Sequence, residues 1–279
     1  MRKKGLIMKK AILATIPMLL LASCSKQNFV LGLGGEGVPV GQYASKILAY
    51  YEIDETKLKE KGVISYGADV KEVTTQVKEG LVSAGIIYKT DAYSANLKVV
   101  ASATKEMCGQ VVYPAALINN EVSENEKASA KYFLDYLTTA EAMSAFEGVG
   151  FTKMVDPRTP TTSVTENVEV NVYAAASLTE SLNSIKTTFT AQNPNITLNI
   201  NFGSSGKLQT QIEEGKNKCD VFISAGKKQM DALAEKSLII EESRFNILEN
   251  KVVLSVPDNN PANLNSFDDL AAKLKDLLK

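Results

Sequence analysis

The sequence predicts an α/β fold with mainly parallel sheets, divided into two lobes. Three observations carry that expectation. Short β-rich runs alternate with helical patterns along the chain, as in strands joined by crossover helices. The 279 residues are 44% hydrophobic and 23% charged, enough apolar material for one large core or two modest ones. One segment breaks the alternation: "VDPRTPTTSVTEN", Val155 to Asn167, holds two prolines, four threonines and a serine, and reads as a linker.

The strand candidates are "FVLGL" (29–33), "AGIIY" (84–88), "VEVNVYA" (168–174), "ITLNINF" (196–202), "DVFIS" (220–224) and "KVVLSV" (251–256). Amphipathic helices lie between them. Ala130, Phe133, Leu134 and Leu137 fall at i, i+3, i+4 and i+7, and Phe267, Leu270, Ala271, Leu274 and Leu278 make a similar stripe. The mixed charges beside the second stripe, Asp268, Asp269, Lys273, Lys275 and Asp276, predict a core-facing helix and not a membrane-surface one.

Composition excludes several function classes. With 31 basic against 32 acidic residues there is no positive excess to neutralise a phosphate backbone, so no nucleic-acid partner is expected. The chain contains no histidine, which removes histidine general bases, Ser-His triads and the common zinc sets. No catalytic residue, cofactor or metal cation is expected.

The amino end reads as a targeting segment. Lys9-Lys10 precede the apolar run Ala11–Ala22, which is too short to span a bilayer, and Met8 is an alternative start. Leu21-Ala22-Ser23-Cys24 resembles the bacterial lipobox, which implies a signal peptide over 1–23 and lipidation of Cys24. Cys108 and Cys219 are then expected as free thiols. Only Ser25, Lys26 and Gln27 separate Cys24 from the first strand region, a tether of about 10 Å.

Gly32-Leu33-Gly34-Gly35-Glu36-Gly37 fits the dinucleotide-binding pattern G-x-G-x-x-G. A dinucleotide turn requires the helix to begin within the glycines, and Pro39 would then fall inside it, costing about 3 kcal/mol. At the first helical position the same proline is harmless, so a helix is expected from Pro39. The amides of Val40 and Gly41 then stand at a helix amino terminus, which favours a small anion.

Four more helix starts follow strands or loops. Ser177-Leu178-Thr179-Glu180 reads as a capping box, Gly203-Ser204-Ser205-Gly206 and Ala225-Gly226 each precede a helix, and Asp69 is a cap before Val70. Tyr88 ends its strand and reads as half-buried, with its hydroxyl at the surface. Singly these are ordinary structural features. As a set they lie beyond the carboxyl ends of strands, where open α/β sheets bind ligands. Hydroxyls of Ser177, Ser205 and Tyr88 with amides near Val40 and Val70 would suit a fully deprotonated tetrahedral dianion, which offers only acceptors.

The stretches "VYAAASLTESL", "NFGSSGKLQTQIEEG", "CDVFISAG", "NILENKVVLSVP", "VPVGQYA", "SAGIIYKTDA", "YPAALINN" and "AKYFLDYLTTAEAMSAFEGVGF" resemble the substrate-binding protein of bacterial ABC-type molybdate importers. The resemblance implies a two-lobed, type II periplasmic-binding-protein-like fold with a ligand cleft crossed by hinge strands. It implies oxyanion contacts at Ser177, Ser205 and Tyr88 through hydroxyls and at Val40 and Val70 through backbone N–H. The ligand would be molybdate or tungstate, the partner a membrane permease, and the protein an extracytoplasmic, membrane-anchored monomer. Two departures stand out. Gly34-Gly35-Glu36-Gly37 replaces the family's Gly-Asp-Pro-Glu, with Val40 where alanine is usual. The two halves are also in rotated order, as in a circular permutation, with residues 155–167 joining the old ends across up to about 43–47 Å.

The expected division is a signal peptide over 1–23, a lipid anchor and tether over 24–27, one lobe from 28–118 plus 257–279, and the other from 119–256. Two alternatives remain on the sequence: a non-transporting remnant of a tandem duplication, and a nucleotide-cofactor enzyme built on the glycine loop.

Overall fold

The computed structural model describes residues 28–161, 165–215 and 218–279. The expected signal peptide, Cys24 and the tether lie outside the described residues. Eleven strands are described: β1 (Leu31–Gly34), β2 (Ile64–Gly67), β3 (Ala84–Tyr88), β4 (Lys98–Ser102), β5 (Val111–Leu117), β6 (Thr152–Lys153), β7 (Val168–Ala175), β8 (Ile196–Gly203), β9 (Val221–Ile223), β10 (Phe245–Asn250) and β11 (Val252–Val256). They form a five-stranded sheet in the order β2-β1-β3-β11-β4 and a six-stranded sheet in the order β6-β10-β5-β9-β7-β8.

Each sheet is mixed, which corrects the expectation of mainly parallel sheets. β1 runs parallel to β2 and β3, and β7 parallel to β8 and β9. β11 is antiparallel to β3 and β4, and β5 and β10 are antiparallel to each other. The cause is the crossing between sheets. Only Lys251 separates β10 from β11, so the chain leaves one sheet and enters the other without the helix that would turn it parallel.

Sheet membership also moves both expected lobe boundaries. β5, expected in the 28–118 lobe, hydrogen-bonds to β9 and β10 of the six-stranded sheet. β11, expected in the 119–256 lobe, lies inside the five-stranded sheet. The chain therefore crosses between lobes near residues 103–110 and again at Lys251.

The helices follow the periodicity of the sequence. Helix Glu124–Tyr136 buries Ala130, Phe133 and Leu134, with Leu137 beyond its end, and is closed by a Ser123/Glu126 capping box. Helix Phe267–Leu278 buries Phe267, Leu270, Ala271 and Leu274 against the core, as its mixed charges predict. It is tied to the first third of the chain, since the Tyr51 hydroxyl donates to Asp268 at 2.9 Å and Lys61 donates to the Leu277 carbonyl at 2.8 Å. One hydrophobic cluster runs through both lobes, and a smaller one, with Tyr173, Phe222 and Met230, lies under helices Ser205–Glu213 and Lys227–Glu235. Cys108 and Cys219 are buried free thiols.

Of the linker, the described residues form no helix or strand. Arg158 holds it to the six-stranded lobe. Its guanidinium lies 3.9 Å from the centre of the Phe245 ring and 3.4 Å from Asp135, and its amide donates to Thr138 at 2.8 Å.

Candidate functional site

The site is built where helix starts from both lobes meet. Pro39 occupies the first position of helix Pro39–Tyr50 after the extended Val38, so Val40 supplies the first amide with no intrahelical acceptor. Gly41 is also at this end, but its amide is taken by the Val38 carbonyl at 3.0 Å and is not free for a ligand. The glycines ahead of the helix serve close approach. A Cβ on Gly41 would stand 2.1 Å from the Gly34 carbonyl oxygen, and Gly37 has φ +75°. Asp69 caps helix Val70–Lys78 by accepting from the Glu72 amide at 3.0 Å, leaving the Val70 amide at the helix mouth.

From the six-stranded lobe come Ser177 and Ser205. The capping box expected at Ser177 does not form. Ala176–Leu178 is a 3-10 turn, Leu178 precedes helix Thr179–Gln192, and no side chain caps that end. The tighter turn directs Ser177 Oγ inward to the Tyr113 hydroxyl at 2.9 Å, and Glu180 outward to Lys71. Ser205 opens helix Ser205–Glu213, and its Oγ accepts from the Ala225 amide at 3.0 Å.

Tyr88 departs from its expected half-exposed state. It is 1% exposed, and its hydroxyl donates to the Ala225 carbonyl of the opposite lobe at 3.3 Å. The cause is the packing of both lobes over the end of β3, where Tyr88 meets the rings of Tyr43 and Tyr113. Burial pushes the Tyr88 and Tyr113 phenols well above their ordinary values, so both keep their protons.

All five residues expected from the sequence, Val40, Val70, Tyr88, Ser177 and Ser205, line one cavity of about 10 Å³. That is room for about one water and none for a dinucleotide. No lysine or arginine lines it among the described residues; the one acid, Asp69, has its carboxylate turned to the Glu72 amide. The helix starts at Pro39, Val70 and Ser205, the 3-10 turn at Ala176–Leu178 and the residues Ser177, Ser204 and Ser205 converge on the space, so apart from Asp69 the wall is uncharged and rich in donors.

Sequence reasoning missed the residues behind this wall. Tyr113 and Asn250 stand within "YPAALINN" and "NILENKVVLSVP", but nothing local marks them as more than strand residues. Lys71 was likewise hidden beside Val70. Its Nζ lies 3.1 Å from the fully buried Asp91 in its own lobe and 2.7 Å from Glu180 in the other. Burial pushes the Asp91 carboxyl up to about 6, against the opposing pull of Lys71. Burial alone would lower the Lys71 pKa, but Asp91 and then Glu180 outweigh it and raise it.

The profile of the bacterial extracellular solute-binding protein family matches residues 18–152 and 170–278. The chain is 38% identical over 118 residues to a putative ABC transporter substrate-binding lipoprotein, YvgL, of Bacillus subtilis, a match covering 42% of this chain and 43% of that one. It is 36% identical over 101 residues to the molybdate-binding protein ModA of Haemophilus influenzae, covering 36% of this chain and 39% of the other. These matches thus span about two fifths of the length of each relative. Among solved structures, a phosphate-binding protein of a phosphate ABC transporter from Streptococcus pneumoniae superposes with a TM-score of 0.51 at 14% identity, over 89% of this chain and 96% of that one. At that identity the likeness concerns the fold. With the family profile covering both lobes and the cleft between them, the chain belongs to the bacterial extracellular solute-binding protein family.

Proposed function

We propose that this protein is an extracytoplasmic, lipid-anchored monomer that captures a tetrahedral oxyanion, molybdate or tungstate, and delivers it to the permease of an ABC importer. The observation that carries the reading is the donor-rich wall without a lysine or arginine. The helix-terminal amides of Val40 and Val70, with the hydroxyls of Ser177 and Ser205, surround a small cavity lined from both lobes. A dianion without protons presents acceptors in every direction, and helix termini and amides stabilise it without a counter-charge. The names of the relatives from Bacillus subtilis and Haemophilus influenzae support the same reading.

The rotated order of the two halves belongs to this proposal as a circular permutation. The family match falls in two stretches, and the gap between them, 153–169, contains the linker Val155–Asn167.

Calorimetry of the purified protein with molybdate, tungstate, sulfate and phosphate tests the reading. Saturable binding of molybdate or tungstate, tighter than of phosphate, is expected. Binding to none of the four overturns it.

A further inference from the structure

Behind the cavity wall a chain of buried hydrogen bonds runs from the interlobe crossing to Ser177. Asn250 ends β10 one residue before the chain passes into the other sheet, and it is buried. Its Oδ1 accepts from the Lys251 amide at 2.8 Å. A backbone N–H can only donate, so this contact settles which end of the side-chain amide is oxygen and which is nitrogen. The Nδ2 then donates in two directions, to the Thr90 hydroxyl of the five-stranded lobe at 2.9 Å and to the Tyr113 hydroxyl of the six-stranded lobe at 3.1 Å.

Tyr113 is fully buried. With Asn250 occupying one side of its oxygen as a donor, the phenolic proton has Ser177 Oγ, 2.9 Å away, as its acceptor. Pointing elsewhere would leave a buried donor unsatisfied, which costs free energy. Ser177 Oγ therefore accepts, and its own proton faces the cavity. Ser205 is arranged in the same way by another obligate donor, since the Ala225 amide reaches its Oγ at 3.0 Å. Both serines are thus held as donors toward the space they line.

We propose that Asn250 and Tyr113 are positioning residues that fix the direction of the Ser177 hydroxyl, and so make the cleft select oxyanions that carry no proton. The inference rests on the oxyanion reading above. Hydrogen phosphate keeps a proton at neutral pH and needs an acceptor in the wall; the one carboxylate there, Asp69, is engaged through Oδ1 as a helix cap by the Glu72 amide at 3.0 Å, so the direction of the Ser177 hydroxyl decides whether the serine side offers one. Molybdate, tungstate and sulfate need none.

The test compares Asn250→Asp and Tyr113→Phe with the wild type, measuring molybdate and phosphate affinities of each by calorimetry at neutral pH. In Asn250→Asp the new carboxylate accepts the Tyr113 proton, Ser177 donates to Tyr113, and a lone pair turns into the cleft. The ratio of molybdate to phosphate affinity is expected to fall about tenfold or more, the size of one donor lost and one acceptor gained. The added negative charge weakens both anions, and the ratio removes that common effect. In Tyr113→Phe the Ser177 hydroxyl is released to donate or accept, and the ratio falls by a smaller factor with molybdate binding retained. Should Asn250→Asp fail to fold, Tyr113→Phe decides alone. Equal loss for both anions, with the ratio unchanged in a folded variant, would mean a merely structural role and overturns the inference. Failure of the wild type to bind any of the anions removes instead the oxyanion reading on which it rests.

Discussion

The amide of Gly206 donates to the carbonyl of Gly37 at 2.9 Å, backbone to backbone across the seam between the two lobes. Neither glycine tolerates a larger neighbour there. A Cβ on Gly206 would stand 2.3 Å from that same oxygen, and Gly37 itself sits at φ +75°. Gly206→Ala is expected to wedge the seam, weakening anion binding about tenfold or more while leaving the melting temperature of the ligand-free protein nearly unchanged. Gly41→Ala is the control within one lobe, because its Cβ would meet Gly34 at 2.1 Å and should destabilise the fold itself by about 1–3 kcal/mol or more. Thermal unfolding beside calorimetry separates the two. A Gly206→Ala protein with wild-type affinity would show that the seam does not govern closure.

On the proposed function, removing a serine hydroxyl would leave a bound oxyanion oxygen without a donor. Ser177→Ala and Ser205→Ala are each expected to weaken molybdate binding by about 1–3 kcal/mol, read by calorimetry. Wild-type affinity in both would place the anion elsewhere.

Lys71 joins the lobes through Glu180 at 2.7 Å, and Glu180 is 43% exposed. An ion pair so open to solvent is worth less than about 1 kcal/mol. Glu180→Gln should therefore weaken anion binding by no more than about fivefold, with a difference from wild type that shrinks as salt is raised. An effect that grows with salt would exclude an electrostatic clasp.

Asp91 offers a pH signature of opposite sign to that of most carboxylates. Burial pushes its pKa up to about 6, whereas in the unfolded chain an aspartate titrates near 3.9. Between these values the folded protein holds a proton that the unfolded chain lacks, so this group's contribution to stability rises as pH falls through 6 and levels off near 4. Relative to Asp91→Asn, the wild type should gain up to about 1.4 kcal/mol per pH unit across that window. Chemical denaturation at pH 7, 6 and 5 measures it. A gap between the two proteins that stays constant, or narrows against the wild type on acidification, would contradict the assignment.

If the rotated order is a circular permutation, the chain should work in the family's order as well. A reordered protein beginning at Val168, with Lys279 joined to Asn28 by a short Gly/Ser linker and ending at Val155, is expected to fold and to bind the same anion with similar affinity. Failure to fold would mean that the present order is required by the structure.

Much of the local architecture was legible in the chain because it depends on neighbours within a turn. Pro39 at a helix start, Asp69 as a cap, the 130/133/134/137 stripe and strand 84–88 all follow from contacts a few residues apart. The five cavity residues were legible too, through short motifs at strand and helix ends. β2, β4, β5, β6 and β10 were not: β2, β4, β6 and β10 are short or only partly apolar, β5 carries Pro114 in its middle, and all owe their pairing to neighbours distant in sequence.

The sequence by itself determined an α/β chain with a row of helix starts beyond its strand ends, and a segment at 155–167 that divides its two halves. Tertiary structure alone decided which lobe β5 and β11 join, that Tyr88 is buried, that Ser177 abandons its capping box, and where the hydroxyl protons point. The physical reason is distance along the chain. Tyr113 and Asn250 are 137 residues apart and Lys71 and Glu180 are 109, and no local propensity carries information over such separations. Those contacts exist only once two sheets have closed on one another, and in doing so they turn a row of ordinary helix starts into a cavity lined by donors.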